Sequence, residues 1–137
     1  MTPADVEDVQ RAGGRLIVMP HADLNVIRFC RGAGMTVAPG VATPTEAFAA
    51  LAAGADALKL FPAEMITPPV VKSIRAVLPK SAVLVPVGGI SASNIPAYRA
   101  AGANAFGIGS TLYSPGKSAA AVKASALDLV KTLGQAT

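Results

Sequence analysis

The stretch Ala57-Leu58-Lys59-Leu60-Phe61-Pro62 places a single lysine inside a run of apolar residues. A nearly continuous apolar run of this length predicts a strand buried on both faces, as in a parallel sheet. A charged lysine at such a position is costly unless it is paired or its pKa falls until the amine is neutral. Because a neutral amine is the nucleophile that attacks a ketone, Lys59 is the leading candidate for a catalytic residue. A buried ion pair and a phosphate contact are the alternatives. A solvated surface role is expected for the lysines in helical or loop stretches, which are Lys72, Lys80, Lys117, Lys123 and Lys131.

Four further apolar runs divide the rest of the chain into a repeating unit. Helix-like patterns separate these runs, and strands that alternate with helices predict a parallel α/β sheet with right-handed crossovers. Five strands alone favour an open doubly wound sheet, whereas the chemistry at the strand ends favours an eight-stranded barrel. The further predicted strands are Leu16–Met19, Met35–Ala38, Ala82–Val87 and Ala105–Ile108.

Local signals mark where the predicted helices begin and end. Thr2-Pro3-Ala4-Asp5 and Thr43-Pro44-Thr45-Glu46 each combine a capping threonine, a first-turn proline and a carboxylate three residues on. An Ala-Gly pair precedes four of the predicted strands, and a glycine just past a helix end closes the helix in the left-handed conformation. These glycines are Gly13, Gly34, Gly54 and Gly102. A last helix is predicted over Ala119–Leu133.

The composition is that of a globular domain, and residues 1–137 are predicted to form one domain. Hydrophobic residues make up 52% and charged residues 15%, with a net charge of +4. This mild excess fits a small anionic substrate, while the scattered basic residues argue against nucleic acid. With Cys30 as the one cysteine and His21 as the one histidine, neither an internal disulfide nor a metal site is predicted. The sequence shows neither a signal peptide nor a membrane span, so a cytoplasmic location is expected.

Glycines follow the fourth and fifth predicted strands, where ligands meet parallel sheets. Gly88-Gly89 and Gly109-Ser110 would let backbone N–H groups approach an anion such as phosphate. Two tight turns that merely need glycine are the alternative. His21 could hydrogen-bond a substrate hydroxyl or lie on the rim, and Glu64 favours a cap or surface role over that of a proton shuttle.

The chain resembles the 2-dehydro-3-deoxy-phosphogluconate and 2-dehydro-3-deoxy-6-phosphogalactonate aldolases, here called KDPG and KDPGal aldolases. The resemblance covers nearly the whole chain in order, and the lysine segment is its most specific part. Two further segments, Gly34–Val37 and Leu112–Ser118, are more similar to the phosphogalactonate branch. The segments that match the family are Pro39–Thr43, Leu58–Glu64, Pro86–Ile90 and Gly107–Ser110.

This resemblance implies a class I aldolase on a (β/α)8 TIM barrel. Lys59 would form an iminium with the 2-keto group of the phosphorylated sugar acid, and cleavage would give glyceraldehyde 3-phosphate and pyruvate. Pro20 and Phe61 would line the pocket around the pyruvyl part. By the same resemblance no metal or organic cofactor is implied, and a homotrimer is expected. The implied phosphate ligands are Gly88, Gly89, Gly109 and Ser110.

The chain also departs from the family pattern. Family chains run to about 200 residues, near the low end for eight-stranded barrels, so we expect a partial barrel of about five strands without the first three βα units. The resemblance places an arginine, a threonine and the general acid/base glutamate in those units, and no residue here matches them. A truncated gene model and a partial chain are both open explanations. His21 stands where the family commonly has asparagine.

Three functions therefore remain open from the sequence. The first is an aldolase, intact in the cell or impaired by truncation. The second is another phosphate-binding α/β-barrel enzyme, which would not need a lysine within a buried strand. The third is a non-catalytic fragment, which the missing acid/base favours.

Overall fold

Short parallel strands alternate with helices along the chain, as the sequence predicts. The computed structural model describes residues 1–134, and residues 135–137, which belong to the predicted domain, lie outside that range. The strands are β1 (Leu16–Val18), β2 (Thr36–Ala38), β3 (Gly40–Val41), β4 (Leu58–Leu60) and β5 (Leu84–Pro86). The helices are α1 (Pro3–Arg11), α2 (Leu24–Gly32), α3 (Pro44–Ala52), α4 (Pro68–Val77), α5 (Ile95–Ala100) and α6 (Ala119–Gly134).

Every strand pair is parallel. β1 pairs with β2, and β4 lies between β3 and β5. Pro39 separates β2 from β3 because a proline has no N–H to donate to a ladder. Its carbonyl still accepts a hydrogen bond of 2.9 Å from the backbone N–H of Lys59. The segment 36–41 therefore connects β1 on one side with β4 on the other.

The prediction of a regular strand over Ala105–Ile108 is wrong. Only Gly107 forms a parallel bridge, with Val87, and its N–H donates to the carbonyl of Pro86 at 3.0 Å. The reason is again a proline: Pro86 has no N–H with which to return a hydrogen bond to this segment. The chain nevertheless follows β5 in the parallel direction.

The prediction that the strands are buried on both faces is wrong for β1, whereas in β4 and β5 the residue on the second face is half-buried. Side chains on one face, such as Ile17, Leu58 and Leu84, are almost fully buried under the helices. The opposite face is more open: Leu16 is 54% exposed and Val18 is 47% exposed. Because side chains alternate between the two faces of a strand, the helices of residues 1–134 cover one face and leave the other to line a cavity.

The predicted helix boundaries are confirmed where a cap defines them. Thr2 with Asp5 and Thr43 with Glu46 both form capping boxes. The four glycines of the Ala-Gly pairs all have positive φ, between 69° and 102°. The last helix, α6, matches the predicted span to within a residue. Local side-chain chemistry therefore fixes where the helices begin and end.

Cys30 is fully buried, as expected of a small apolar side chain. Its environment raises the pKa of the thiol, chiefly through burial. Within residues 1–134, no helix combines the length and apolar character needed to cross a membrane.

Candidate active site

Lys59 lies at the middle of β4, the central strand of its sheet. It is in register with Gly40 of β3 and Val85 of β5. Its neighbours along the strand, Leu58 and Leu60, point into the fully buried layer under the helices. The lysine side chain therefore points to the opposite, open face, where it is half-buried.

The amine of Lys59 lies against an aromatic ring. Its Nζ atom is 4.1 Å from the centroid of the Phe61 ring, which belongs to the same strand face two residues on. Burial lowers the pKa of Lys59 from its ordinary value, because removing water disfavours the charged form. The ring acts in the opposite sense, since its face attracts a cation. Burial thus makes the amine easier to deprotonate, and the Phe61 ring stabilises a cation that forms at the same position.

The open face of the strands lines a cavity of ≈ 530 Å³ that is predominantly apolar. Lys59 is the sole titratable side chain among its described lining residues, so this face supplies one reactive group in apolar surroundings. The remaining lining residues include Leu16, Val18, Thr36, Ala38, Val85, Val87, Phe106, Ile108 and Gly109.

The two predicted glycine segments follow two neighbouring parallel segments of the sheet. The bridge between Val87 and Gly107 brings these segments side by side in parallel. Gly88 and Gly89 are one and two residues beyond Val87, and Gly109 and Ser110 are two and three residues beyond Gly107. The structure therefore brings the four predicted phosphate ligands to the edge where β4 and β5 also end.

Side chains from later in the sequence bond to the Gly88–Gly89 turn and to the two residues that follow Ser110. The amide group of Asn94 donates to the carbonyl of Gly89 at 2.9 Å, and its oxygen accepts from the N–H of Ser91. Beyond Ser110, the ammonium of Lys117 donates to the carbonyls of Thr111 and Leu112 at 2.8 and 3.1 Å. Each turn is therefore stabilised by hydrogen bonds from a side chain a few residues later in the sequence.

The prediction that Lys117 has a solvated surface role is wrong, because its side chain is half-buried and bonded to the loop. The Pro115-Gly116 turn just before it was the signal that could have shown this, since a turn there directs the chain back toward residue 111. The remaining lysines outside the sheet are exposed, as predicted: Lys72, Lys80, Lys123 and Lys131.

Pro20 and His21 lie on the rim, next to the end of β1, and both are exposed. Neither Pro20 nor Phe61 is among the described residues that line the cavity, although the Phe61 ring contacts the Lys59 amine. The backbone of Pro20 packs so closely on Gly40 that a Cβ atom there would overlap it. His21 thus lies on the rim, whereas its hydrogen bond to a substrate hydroxyl stays a prediction.

Glu64 is exposed and makes no helix cap, in keeping with the predicted surface role. Tyr98, which no motif of the sequence marks, donates a hydrogen bond from its hydroxyl group to the carbonyl of Ala63 at 2.7 Å. Within the described part of the chain, no three His, Cys, Asp or Glu side chains are grouped as metal ligands would be.

These features define a parallel α/β protein with one lysine in an apolar cavity and two glycine turns at the adjoining strand ends. The chain belongs to the KDPG and KHG aldolase family, whose model matches residues 1–132. This finding confirms the resemblance stated from the sequence. It also removes the alternative of an unrelated phosphate-binding barrel enzyme.

Three known proteins show how far the similarity extends. A probable 2-dehydro-3-deoxy-6-phosphogalactonate aldolase of Rhizobium meliloti (strain 1021) is 48% identical over 127 residues, which are 93% of this chain and 60% of the relative. A solved structure described as "Native KDPGal structure" is 41% identical with a TM-score of 0.95, over 98% of this chain and 66% of that one. The KDPG aldolase of Legionella pneumophila, solved with pyruvate captured as a covalent carbinolamine intermediate, is 27% identical with a TM-score of 0.75, over 97% and 63%. The chain thus spans slightly under two thirds of the length of these proteins.

Proposed function

We propose that this chain contains the imine-forming lysine and the phosphate site of a class I aldolase. The substrate is 2-dehydro-3-deoxy-6-phosphogalactonate or its gluconate counterpart, and the products are pyruvate and glyceraldehyde 3-phosphate. The position of Lys59 is the observation that supports this most: a single amine in an apolar cavity, with its pKa lowered by burial. The carbinolamine in the Legionella protein shows that a family member forms a covalent adduct with pyruvate.

The chemistry begins with attack of the neutral Lys59 amine on the C2 keto carbon. Loss of water from the carbinolamine leaves an iminium, whose positive nitrogen withdraws electrons from the adjoining carbons. Loss of the C4 hydroxyl proton then sends the electron pair of the C3–C4 bond into the iminium. Glyceraldehyde 3-phosphate leaves, an enamine remains, and its protonation at C3 followed by hydrolysis releases pyruvate and regenerates Lys59.

Phe61 contributes to this sequence through its ring. The amine is neutral when it attacks, but the iminium that follows is a cation at nearly the same place, 4.1 Å from the ring centroid. The ring face therefore stabilises the intermediate more than the free neutral amine. Phe61 lines the pyruvyl part of the site, with Pro20 on the rim.

The other end of the substrate is a phosphate, and the proposed site for it is made of backbone N–H groups. Gly88, Gly89, Gly109 and Ser110 lie on two neighbouring turns at one edge of the sheet. Glycine allows an anion close to the backbone, and N–H groups donate without needing a positive side chain. The net charge of +4 favours an anionic ligand in addition.

The proton transfers need a further group. Among the described residues of the cavity, Lys59 is the one side chain that titrates, so no carboxylate there serves as general acid or base. Such a group typically contributes about 10²–10⁴-fold to the rate. We therefore expect this chain by itself to form the pyruvate adduct and to turn over sugar acid weakly or not at all.

The galactonate epimer is the proposed substrate of first choice. The two more similar proteins, at 48% and 41% identity, both have the phosphogalactonate name, whereas the Legionella protein at 27% has the gluconate name. The proposal also includes a cytoplasmic homotrimer in which these strands form part of an eight-stranded barrel. Helices on one face of the strands and a cavity on the other support the barrel.

Reduction with cyanoborohydride in the presence of pyruvate, followed by peptide mass mapping, tests the proposal. We expect the reduced pyruvyl adduct on Lys59, its loss in Lys59→Met, and an unchanged yield in Lys72→Met, which removes an exposed lysine. An adduct spread evenly over the surface lysines, or none at all, would make this chain a non-catalytic fragment of the family fold.

A further inference from the structure

Glu64 places a carboxylate directly against the Gly88–Gly89 turn. A Cβ atom added to Gly88 would overlap Oε2 of Glu64, and one added to Gly89 would lie 3.3 Å from Oε1. Both glycines also have positive φ, 112° and 60°. The absence of side chains at these two positions therefore makes room for the Glu64 side chain as well as for an anion.

The backbone that positions Glu64 is firmly held. The N–H of Ala63 donates to the carbonyl of Val87 at 2.9 Å, and the carbonyl of Ala63 accepts from the Tyr98 hydroxyl at 2.7 Å. Ala63 itself is fully buried. Burial raises the pKa of Tyr98, and the charge of Glu64 adds to that rise, so the carboxylate acts on the tyrosine that holds Ala63.

The carboxylate has no partner that would explain its place. Within residues 1–134 it accepts no hydrogen bond and forms no salt bridge. The side chain is exposed, so stability does not require it to lie over the glycines. A charge held against the two glycines of the proposed anion site acts on an anion that binds there.

Resting on the phosphate site proposed above, we propose that Glu64 is a specificity-determining residue that weakens the binding of doubly charged phosphate groups. Two like unit charges about 5 Å apart in water disfavour each other by roughly fourfold in binding. The repulsive energy doubles for a dianion, and salt reduces it by screening. The turn thus favours phosphate groups of lower charge and speeds the departure of a phosphorylated product.

An NMR titration with glycerol 3-phosphate at pH 8 and low salt tests the inference. The amide chemical shifts, measured as a function of ligand concentration, give the dissociation constant. We expect Glu64→Gln to bind this dianion about 4- to 16-fold more tightly than the parent chain. Glu64→Asp, which keeps the charge, should stay near the parent, and so should Glu7→Gln, which removes an exposed carboxylate on α1. A singly charged phosphodiester of glycerol should gain less from Glu64→Gln, about fourfold or below.

The outcomes separate the two proposals. One outcome is that the parent and Glu64→Gln bind glycerol 3-phosphate with equal affinity, as measured from the amide shifts of Gly88, Gly89, Gly109 and Ser110. In that case the role of Glu64 is overturned and the phosphate site stands. Tighter binding by the parent would show that Glu64 attracts the ligand, which also overturns the inference. If none of these amides shifts in either protein, the phosphate site fails and the inference fails with it. Glu64→Ala provides a second neutral variant, so the comparison does not depend on the fold of one protein.

Discussion

The Nζ atom of Lys59 lies 4.1 Å from the centroid of the Phe61 ring, on the open face of the central strand. Two influences meet at this amine: burial favours its neutral form, and the ring favours any cation that forms there. An amine used as a nucleophile and then converted to an iminium needs both, in that order.

Replacing Phe61 with leucine should weaken the pyruvate adduct. The loss of a cation–ring contact of about 0.5–1 kcal/mol corresponds to roughly two- to fivefold in the equilibrium constant for imine formation. The yield of reduced adduct as a function of pyruvate concentration measures this constant. Phe48→Leu, at an exposed position on α3, is the matched control and should leave it unchanged. Equal constants for all three proteins would remove the ring from the mechanism.

The rate of adduct formation should rise with pH and level off below the pH at which an ordinary lysine would. The reason is that burial lowers the pKa of Lys59, so the neutral amine predominates from a lower pH onward. The measurement is the initial rate of reductive trapping between neutral and alkaline pH. A profile that still climbs beyond the ordinary lysine value would contradict the lowered pKa.

The same shift makes stability depend on pH. Between the lowered folded pKa and the ordinary unfolded value, the unfolded chain binds more protons at Lys59 than the folded chain does. The free energy of unfolding should therefore rise with pH in that interval. Urea unfolding at several alkaline pH values should show this contribution in the parent and in Lys72→Met, and its absence in Lys59→Met.

Gly40→Ala should destabilise the fold strongly. An added Cβ atom would overlap the backbone of Pro20 and lie 2.9 Å from the N atom of His21, so the rim must move. Overpacking of this kind costs about 1–3 kcal/mol. Gly32→Ala is the control, because nothing lies within 4 Å of its added atom and alanine suits the end of α2. Denaturant unfolding of both variants measures the difference, and equal stabilities would argue against the close approach.

Lys117→Met should loosen the turn that follows Ser110. The ammonium donates to two carbonyls of that turn, and each such bond to a charged group is worth about 1.5–3 kcal/mol when well shielded and less at this half-buried position. Hydrogen exchange of the amides from residue 109 to 117 should speed up several-fold, while Lys123→Met on the exposed face of α6 should leave it unchanged. Protection that is the same in both variants would mean that the turn is held by its backbone alone.

The parts of the fold that could be predicted from the sequence are those that local chemistry decides. Thr43 and Glu46 cap α3 through hydrogen bonds within four residues, so the sequence contains all the information needed. The short apolar run around Lys59 likewise predicts a strand, because the run is too short for a buried helix and ends at a proline.

The predictions that failed depend on neighbours far along the chain. Whether Leu16 is covered depends on which elements lie over the open face, and an apolar side chain looks the same in either case. The segment 105–108 has strand-like composition, but the missing N–H of Pro86, about 20 residues earlier, limits its pairing to a bridge. Lys117 is the exception, because its carbonyl partners are only five and six residues earlier and are brought within reach by the fold of the turn.

The hydrogen bond between Tyr98 and Ala63 has a consequence for the length of the ligand. Ala63 connects the loop after β4 to β5 on one side and to α5 on the other, so the amine of Lys59 and the N–H groups of Gly88 and Gly89 sit on one braced frame. Backbone hydrogen bonds therefore hold the strand that bears Lys59 and the Gly88–Gly89 turn at a set spacing. On the function proposed above, a molecule with a ketone and a phosphate engages both groups only if its carbon chain has the matching length.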